Sequence, residues 1–271
     1  MQIRDRRIVA VDISRGGEVE RVLPGLVVDC SGSAAVSTLA GIPVFEKDES
    51  DQVPAIVVPL SNVSVPLEST ADRLQILLAI RHAIDDGILE KGSEMVSLMP
   101  ALEPGRVLLK LNLGHKAMRQ PSVARQHCEQ LAAFLKRSVA GFEQCKPVGD
   151  AATIAHRASR RMVGEVVLTG DDVLQARSVP DRVADGCWPI EKWLSTGEQE
   201  LVALPAGKCY TIPAGALRSA HLDNLLGAGR IMSADADAIA SARVVGCCLA
   251  TGEAAGNLAA DVAETGSAQA G

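Results

Sequence analysis

The last quarter of the chain most constrains what it can fold into. Asn224-Leu-Leu-Gly-Ala-Gly-Arg230 is followed by Ser241-Ala-Arg-Val-Val-Gly246 and Thr251-Gly-Glu-Ala-Ala-Gly256. The pattern reads as a buried strand, a glycine turn and a helix whose first turn is aimed at a ligand. Small residues crowd that helix start: Ala238, Ala240, Ser241 and Ala242. Small side chains let a large planar or anionic ligand approach the backbone. Unpaired N–H groups and the positive end of the helix dipole then meet its negative charge. Gly227, Gly229, Arg230, Ser241 and Gly252 are the candidate binding residues of this stretch.

A chain of 271 residues accommodates one large domain or two small ones. With 47% hydrophobic and 22% charged residues it has the composition of an ordinary globular protein. Aromatics are only 2%, so the core falls to Ala, Val, Leu and Ile. The net charge of −6 argues against a general nucleic-acid binder, which needs clustered Lys and Arg for phosphates. No apolar run approaches the roughly 18 residues of a bilayer span. The opening Met1-Gln-Ile-Arg-Asp-Arg-Arg7 lacks the apolar centre of a signal peptide, so the expectation is a cytoplasmic protein. Seven cysteines, without CxxC spacing, read as reduced, buried thiols. Cys247 and Cys248 are adjacent on the predicted helix and face different directions, which is not the arrangement of a redox pair. His82, His115, His127, His156 and His221 have no metal-ligand spacing and read as surface or structural residues, and Trp188 and Trp193 as core anchors.

Along the chain, Arg7 to Ile13 reads as a strand, Ser14 to Gly17 as a turn, and Glu18 to Leu23 as a strand pairing back in a hairpin. Gly25 to Asp29 is a short buried-type strand, and Ala34 to Ala40 a short helix closed by Gly41. Val53 to Val65 and Arg106 to Leu113 are further strands. Thr70 to Leu89 is an amphipathic helix with Leu74, Leu77, Leu78, Ile84 and Ile88 on one side, capped by Ser69 or Thr70. Ser122 to Val139 is a second one, carrying Val123, Leu131, Phe134, Leu135 and Val139. The tail after Ala260, rich in Ala, Gly and Ser, is expected to fray.

Four segments carry a more specific pattern. Val27-Val-Asp-Cys-Ser-Gly-Ser33, then Leu39-Ala-Gly41, is a strand ending at a glycine where the backbone passes close to a ligand; a plain strand–turn–helix is the alternative. His156-Arg-Ala-Ser-Arg-Arg-Met-Val-Gly-Glu165 places three arginines within five residues, ahead of Leu168-Thr-Gly-Asp-Asp-Val-Leu174. Arg157, Arg160 and Arg161 either clamp a carboxylate or pyrophosphate through bidentate contacts or pair internally with Glu165, Asp171 or Asp172. If that segment is helical, Arg157 and Arg161 lie one turn apart. Thr169 to Asp172 is an N-cap sequence for a helix over Asp172 to Ala176. Pro180-Asp-Arg-Val-Ala to Glu191, the strand Tyr210-Thr-Ile-Pro213, and Gly229 to Gly256 complete the set.

These motifs, in this order, resemble the FAD-dependent oxidoreductases of the glutathione-reductase-like type. That family shows an apolar strand before Asp-Ala-Thr-Gly-Asp-Gly-Asp, then Arg-x-Ser-Arg-Arg-Ile-x-Gly-Glu, Tyr-x-Ile-Pro and a closing Ser-Ala-Thr-His-Glu-Ala. Here Ser33, Ala34 and Ala35 replace the acidic part of the first motif, Trp193 stands near the place of one histidine and Ala236 at another. The usual N-terminal strand–GxGxxG–helix is absent. The resemblance implies an α/β fold. It would be an incomplete Rossmann-like FAD-binding domain formed by residues 1–45 and 205–262, an inserted α+β substrate domain over 46–204, and a flexible tail over 263–271. It implies Asp29, Ser31, Gly32, Gly227, Gly229, Arg230, Ser241 and Gly252 as FAD-binding residues. It implies that Arg243 or the cluster of Arg157, Arg160 and Arg161 orients an anionic substrate during hydride transfer to or from flavin. A small-molecule substrate is implied, and a second polypeptide carrying the dinucleotide-binding half is a possible partner. A non-catalytic partner subunit, or a truncated product that does not hold FAD alone, is the alternative.

Overall fold

The computed structural model describes residues 1–46, 52–65, 67, 69–114, 119–149, 154–196 and 198–269; His115 lies outside them. The chain divides into two compact units. The first comprises Met1–Asp51, Ala158–Lys192 and Glu200–Gly271, the second Gln52–Arg157 and Trp193–Gln199. Segment 158–192, assigned by sequence to the inserted domain, therefore packs in the first unit. Leu168, Val173 and Ile190 share a core there with Tyr210, Ile212 and Ala238. The Leu168 N–H donates to the Ser233 carbonyl and the Glu165 N–H to the Arg218 carbonyl, both at 3.0 Å.

The first unit opens with Gln2–Arg4 (β1), Arg7–Arg15 (β2) and Glu18–Val22 (β3), an antiparallel sheet in the order β1-β2-β3. β2 and β3 form the expected hairpin, with Gly16 and Gly17 supplying positive φ at its turn. Ile8 and Ala10 are buried, but every residue of β3 is exposed. Val27–Asp29 (β4), Ala35–Leu39 (α1) and Val44–Phe45 (β5) follow.

The second unit contains Ala55–Ser61 (β6), Thr70–Asp85 (α2), Val96–Pro100 (β7), Val107–Asn112 (β8), Pro121–Ser138 (α3) and Lys146–Pro147 (β9). Its antiparallel sheet has the order β7-β8-β6-β9. The registers set Val96, Leu111 and Ile56 in one row and Leu98, Leu109 and Val58 in the next. One face of the sheet is thus apolar and buried, following the period of two along each strand. α3 covers it with Leu131, Phe134 and Leu135 as expected. Ser69 caps α2, accepting from the Asp72 N–H at 3.3 Å. The buried face of α2 is not the predicted one, however. Ile76, Ile80 and Ala83 point into the core, and Leu74, Leu77 and Leu78 face solvent. α2 is apolar on two sides, so periodicity alone could not choose between them.

The chain re-enters the first unit through Arg161–Met162 (β10), which pairs with β5. Gly170–Leu174 (α4), Arg182–Gly186 (β11), Ile190–Trp193 (β12), Gln199–Val202 (β13) and Tyr210–Pro213 (β14) come next. Leu225–Gly227 (β15), Ala236–Ala242 (α5) and Val245–Gln269 (α6) close the chain. β11 and β14 are antiparallel, and the Tyr210 ring fills the place of the side chain Gly186 lacks. Beside that pair Cys187 and Cys209 form a disulfide, their Cα atoms 4.5 Å apart, which corrects the expectation of reduced, buried thiols. Cys30 is an exposed free thiol, and Cys128, Cys145 and Cys247 are the buried ones. Trp188 is 45% exposed rather than a core anchor. α5 and α6 meet at 95°, and among the described residues no single helix is long and apolar enough to cross a membrane. α6 continues to Gln269, through the stretch expected to fray.

Candidate functional site

β4 and β15 run parallel, with Val27 opposite Leu225, Val28 opposite Leu226 and Asp29 opposite Gly227. Both strands end at one level, and each is followed by a glycine turn. Asp29 is buried, and its carboxylate accepts from the N–H groups of Ser31 at 2.8 Å and Val36 at 2.9 Å. The Ser31 hydroxyl accepts from the Ala35 N–H at 3.1 Å. These two side chains satisfy the first turn of α1, whose N-cap, Ala34, has no capping side chain and sits at φ 51°. Asp29 and Ser31, expected to touch a cofactor, are engaged in shaping the turn. Gly32, at φ +72°, forms its apex, and the Arg230 guanidinium lies where a Cβ would stand, with Cζ 3.1 Å from that point. Only glycine permits both the backbone angle and this seat.

The second turn supplies the cation. Gly229, at φ +67°, donates its N–H to the Thr251 hydroxyl at 3.0 Å and so ties the turn to α6. The Cys248 sulfur lies 3.5 Å from where a Gly229 Cβ would be. Arg243 is half-buried nearby and donates to the Glu191 carbonyl at 3.1 Å, with the Glu191 carboxylate at 3.6 Å. Burial pushes the Arg243 pKa down; the Glu191 carboxylate opposes this, and the Arg230 charge adds to the fall. Burial raises the Cys248 thiol, while Arg230 and Arg243 pull it back and Cys30 pushes it further up. Arg230, Arg243, Cys248 and Cys30 thus share one electrostatic neighbourhood at the strand ends.

Other predicted site residues lie elsewhere. Gly227 is packed beneath Met162 and Ile231, whose atoms stand 3.0 and 3.1 Å from a built Cβ. Ser241 is in the last turn of a helix that begins at Ala236, and is fully buried. Its hydroxyl donates to the Trp188 carbonyl at 2.6 Å and bonds to the Tyr210 hydroxyl at 2.8 Å, so it is part of the core. Gly252 lies within α6, and a Cβ there would meet nothing within 4 Å.

The arginine segment is not helical: it bends at Arg157 and Ala158 and enters β10 only at Arg161, and the boundary between the two units falls between Arg157 and Ala158. Arg157 donates to the Val53 carbonyl and to Asn112 Oδ1, and stacks over Trp193 with Cζ 5.0 Å from the ring centre, all within the second unit. Arg161 is buried in the first unit and donates to the Ala234 carbonyl at 2.9 Å. Arg160 is half-buried. Asp172, offered by sequence as their counter-ion, takes Arg177 at 2.5 Å and forms a capping box with Thr169. The sequence reading did not assign site roles to Cys30, Cys248 and Glu191. Cys30 sat inside a quoted motif, but no local pattern reveals that it approaches Cys248 across 217 intervening positions.

A cavity of about 450 Å³ lies elsewhere in the first unit, lined by Val166, Val167, Val179, Pro180 and Pro213 among others. None of the strand-end residues lines it.

Arg230, in the turn after β15, and Arg243, at the end of α5, thus place two positive charges near the carboxyl ends of two adjacent parallel strands. The family model for FAD dependent oxidoreductases matches residues 1–270, and the chain belongs to that family. No curated protein matches it. Among solved structures it is similar to a triple mutant of the flavin-dependent brominase Bmp2, at 13% identity and a TM-score of 0.42. That match covers 96% of this chain and 50% of the brominase chain, so this chain spans about half the length of that structure.

Proposed function

We propose that the chain acts in an FAD-dependent oxidoreductase that transfers hydride between a small substrate and flavin, and that the strand ends of β4 and β15 receive the cofactor. The observation that carries this reading is Arg230 seated on the backbone of Gly32, with Arg243 behind it. The donor set fits an anionic group: a half-buried guanidinium seated on the Gly32 turn, and a second half-buried arginine near it, held by Glu191. FAD, when bound, supplies the two-electron chemistry. The chain's own residues hold and orient. Arg230 meets negative charge, Asp29 and Ser31 fix the turn that positions Gly32, and Glu191 holds Arg243 in place.

A second polypeptide carrying the dinucleotide half completes the site in this reading. Among the described residues β4 pairs with β15 alone, and Val28 at its centre is 37% exposed, leaving an apolar strand edge open. The chain alone therefore holds FAD weakly. Quenching of flavin fluorescence on titration tests the site. Arg230→Ala should weaken binding about tenfold, about 1.4 kcal/mol, while Arg177→Ala, whose side chain pairs with Asp172, should leave it unchanged. Equal affinity for wild type and Arg230→Ala would sink the assignment. Co-purification with a polypeptide bearing a strand–GxGxxG–helix tests the partner. Val28→Asp should abolish it, and unchanged recovery counts against docking at the β4 edge.

A further inference from the structure

We infer that the Cys187–Cys209 disulfide is a thiol-reducible latch that positions Arg243, with Trp188 as the link between them. Its consequence for the cofactor rests on the reading of Arg243 proposed above. β11 and β14 pair from Arg182 opposite Pro213 to Gly186 opposite Tyr210. The disulfide joins the next residue on each side, where the ladder ends. Both cysteines are exposed, and exposed disulfides are the ones open to thiols. The residue beside each cysteine reaches α5. The buried Ser241 hydroxyl donates to the Trp188 carbonyl at 2.6 Å and lies 2.8 Å from the Tyr210 hydroxyl. The one Ser241 proton is committed to Trp188, so Tyr210 is the donor to Ser241. Cys187, Trp188, Ser241, Tyr210 and Cys209 thus form a closed ring of covalent and hydrogen bonds, and Arg243 is two residues beyond it.

A second arm runs through the side chain of Trp188. Its indole N–H donates to Glu191 Oε2 at 3.1 Å, and that same oxygen lies 3.6 Å from the Arg243 guanidinium. Trp188 therefore holds the helix that carries Arg243 with its carbonyl, and the carboxylate that faces Arg243 with its ring. Opening the latch is thiol–disulfide exchange. A thiolate of a dithiol attacks one sulfur and the other leaves as a thiol on taking a proton. The second thiol of the dithiol then displaces the mixed disulfide. Two electrons and two protons pass to the protein, and the dithiol leaves as a disulfide. Ile190 remains buried in the core, and Lys192 remains paired with Asp237 at 2.6 Å. Loosening is thus confined to residues 187–189, Glu191 and the end of α5. The oxidised form holds Arg243 at the strand ends, and the reduced form releases it.

Amide hydrogen exchange of the full chain, before and after dithiothreitol, tests the latch. Reduction should speed exchange over 187–191 and 238–243 about tenfold, at labelling times when 225–227 stays protected. Cys187→Ser/Cys209→Ser should reproduce the reduced pattern and ignore dithiothreitol. Flavin titration reads the link to Arg243. Reduction, and Trp188→Phe with the disulfide intact, should each weaken FAD binding about fivefold, and neither should matter in Arg243→Ala. Unchanged exchange over 187–191 on reduction overturns the inference. So does loss of protection at 225–227 in step with it, which makes the disulfide a general staple of the unit. A redox dependence of FAD binding that survives Arg243→Ala also overturns it. If the oxidised chain takes up no FAD, the cofactor reading falls, and the exchange pattern alone decides the latch.

Discussion

Gly32→Ala separates the two things glycine does at the first turn. The residue sits at φ +72°, and a methyl group there would meet the Arg230 guanidinium, with Cζ 3.1 Å away. The left-handed backbone costs a non-glycine residue about 1–2 kcal/mol. The smaller conformational freedom of the unfolded chain returns about 0.4–1 kcal/mol, so the backbone part nets about 1 kcal/mol. Gly41 is the control: its φ is +66° and nothing lies within 4 Å of a built Cβ. The guanidinium is the far end of a flexible side chain and can swing away, so Gly32→Ala and Gly41→Ala should lose similar stability in urea unfolding, within about 0.5 kcal/mol. Their flavin titrations should part company. Gly32→Ala unseats Arg230 and should weaken FAD binding about tenfold, about 1.4 kcal/mol, whereas Gly41→Ala should bind as wild type does. Equal affinity for the two variants would refute the link between the Gly32 turn, the Arg230 seat and the cofactor.

The remaining expectations use other parts of the molecule. Gly252→Ala adds a methyl group into open space within α6 and should stabilise the chain by about 0.5–1 kcal/mol without loss of flavin; weaker flavin binding would return Gly252 to the site. The Cys187–Cys209 disulfide closes a separation of 22 residues, so dithiothreitol or Cys187→Ser/Cys209→Ser should cost about 3 kcal/mol in unfolding free energy; an unchanged melting temperature with both thiols alkylated would contradict the pairing. Burial, and less strongly Glu129, push the Cys128 thiol from 9.0 up to about 12. The folded state thus keeps its proton longer than the unfolded chain does. That contribution is fully present below about pH 9 and declines by up to about 1.4 kcal/mol per pH unit as pH rises toward 12. Urea unfolding between pH 8 and 11 measures it, and Cys128→Ala should flatten the slope; an equally steep fall in the variant would assign the loss to other groups.

Local chemistry was legible in the sequence where a residue and its partner are neighbours. Ser69 and Thr169 cap the helices they precede, and the hairpin turns at Gly16-Gly17. The strand at 225–227 and the glycine turn after it were legible too. What was not legible depends on long-range packing. Leu74, Leu77 and Leu78 satisfy the same helical period as Ile76, Ile80 and Ala83, and only the sheet beneath decides which set is covered. Ser241 reads as a small residue beside a ligand until Tyr210, 31 positions earlier, is placed against it. Asp29 reads as a cofactor-contacting residue until its carboxylate is placed against α1, whose N-cap Ala34 has no capping side chain. Cys187 and Cys209 have no motif spacing, and are brought together by the register of β11 and β14.

The boundary between Arg157 and Ala158 bears on how this protein could be recombined. A run that reads as one signature, Arg157-Ala-Ser-Arg-Arg161, belongs to two folding units. A chimera that exchanges the second unit for a relative's must cut before Gln52, after Arg157, before Trp193 and after Gln199. The first arginine then travels with the insert, where its acceptors Val53 and Asn112 also reside, and Arg161 stays with the acceptor scaffold and its Ala234 carbonyl. A splice placed by the signature instead, before His156 or after Glu165, strands one guanidinium away from its acceptors. Such crossovers should express poorly for that reason alone, whatever the catalytic merit of the donated unit.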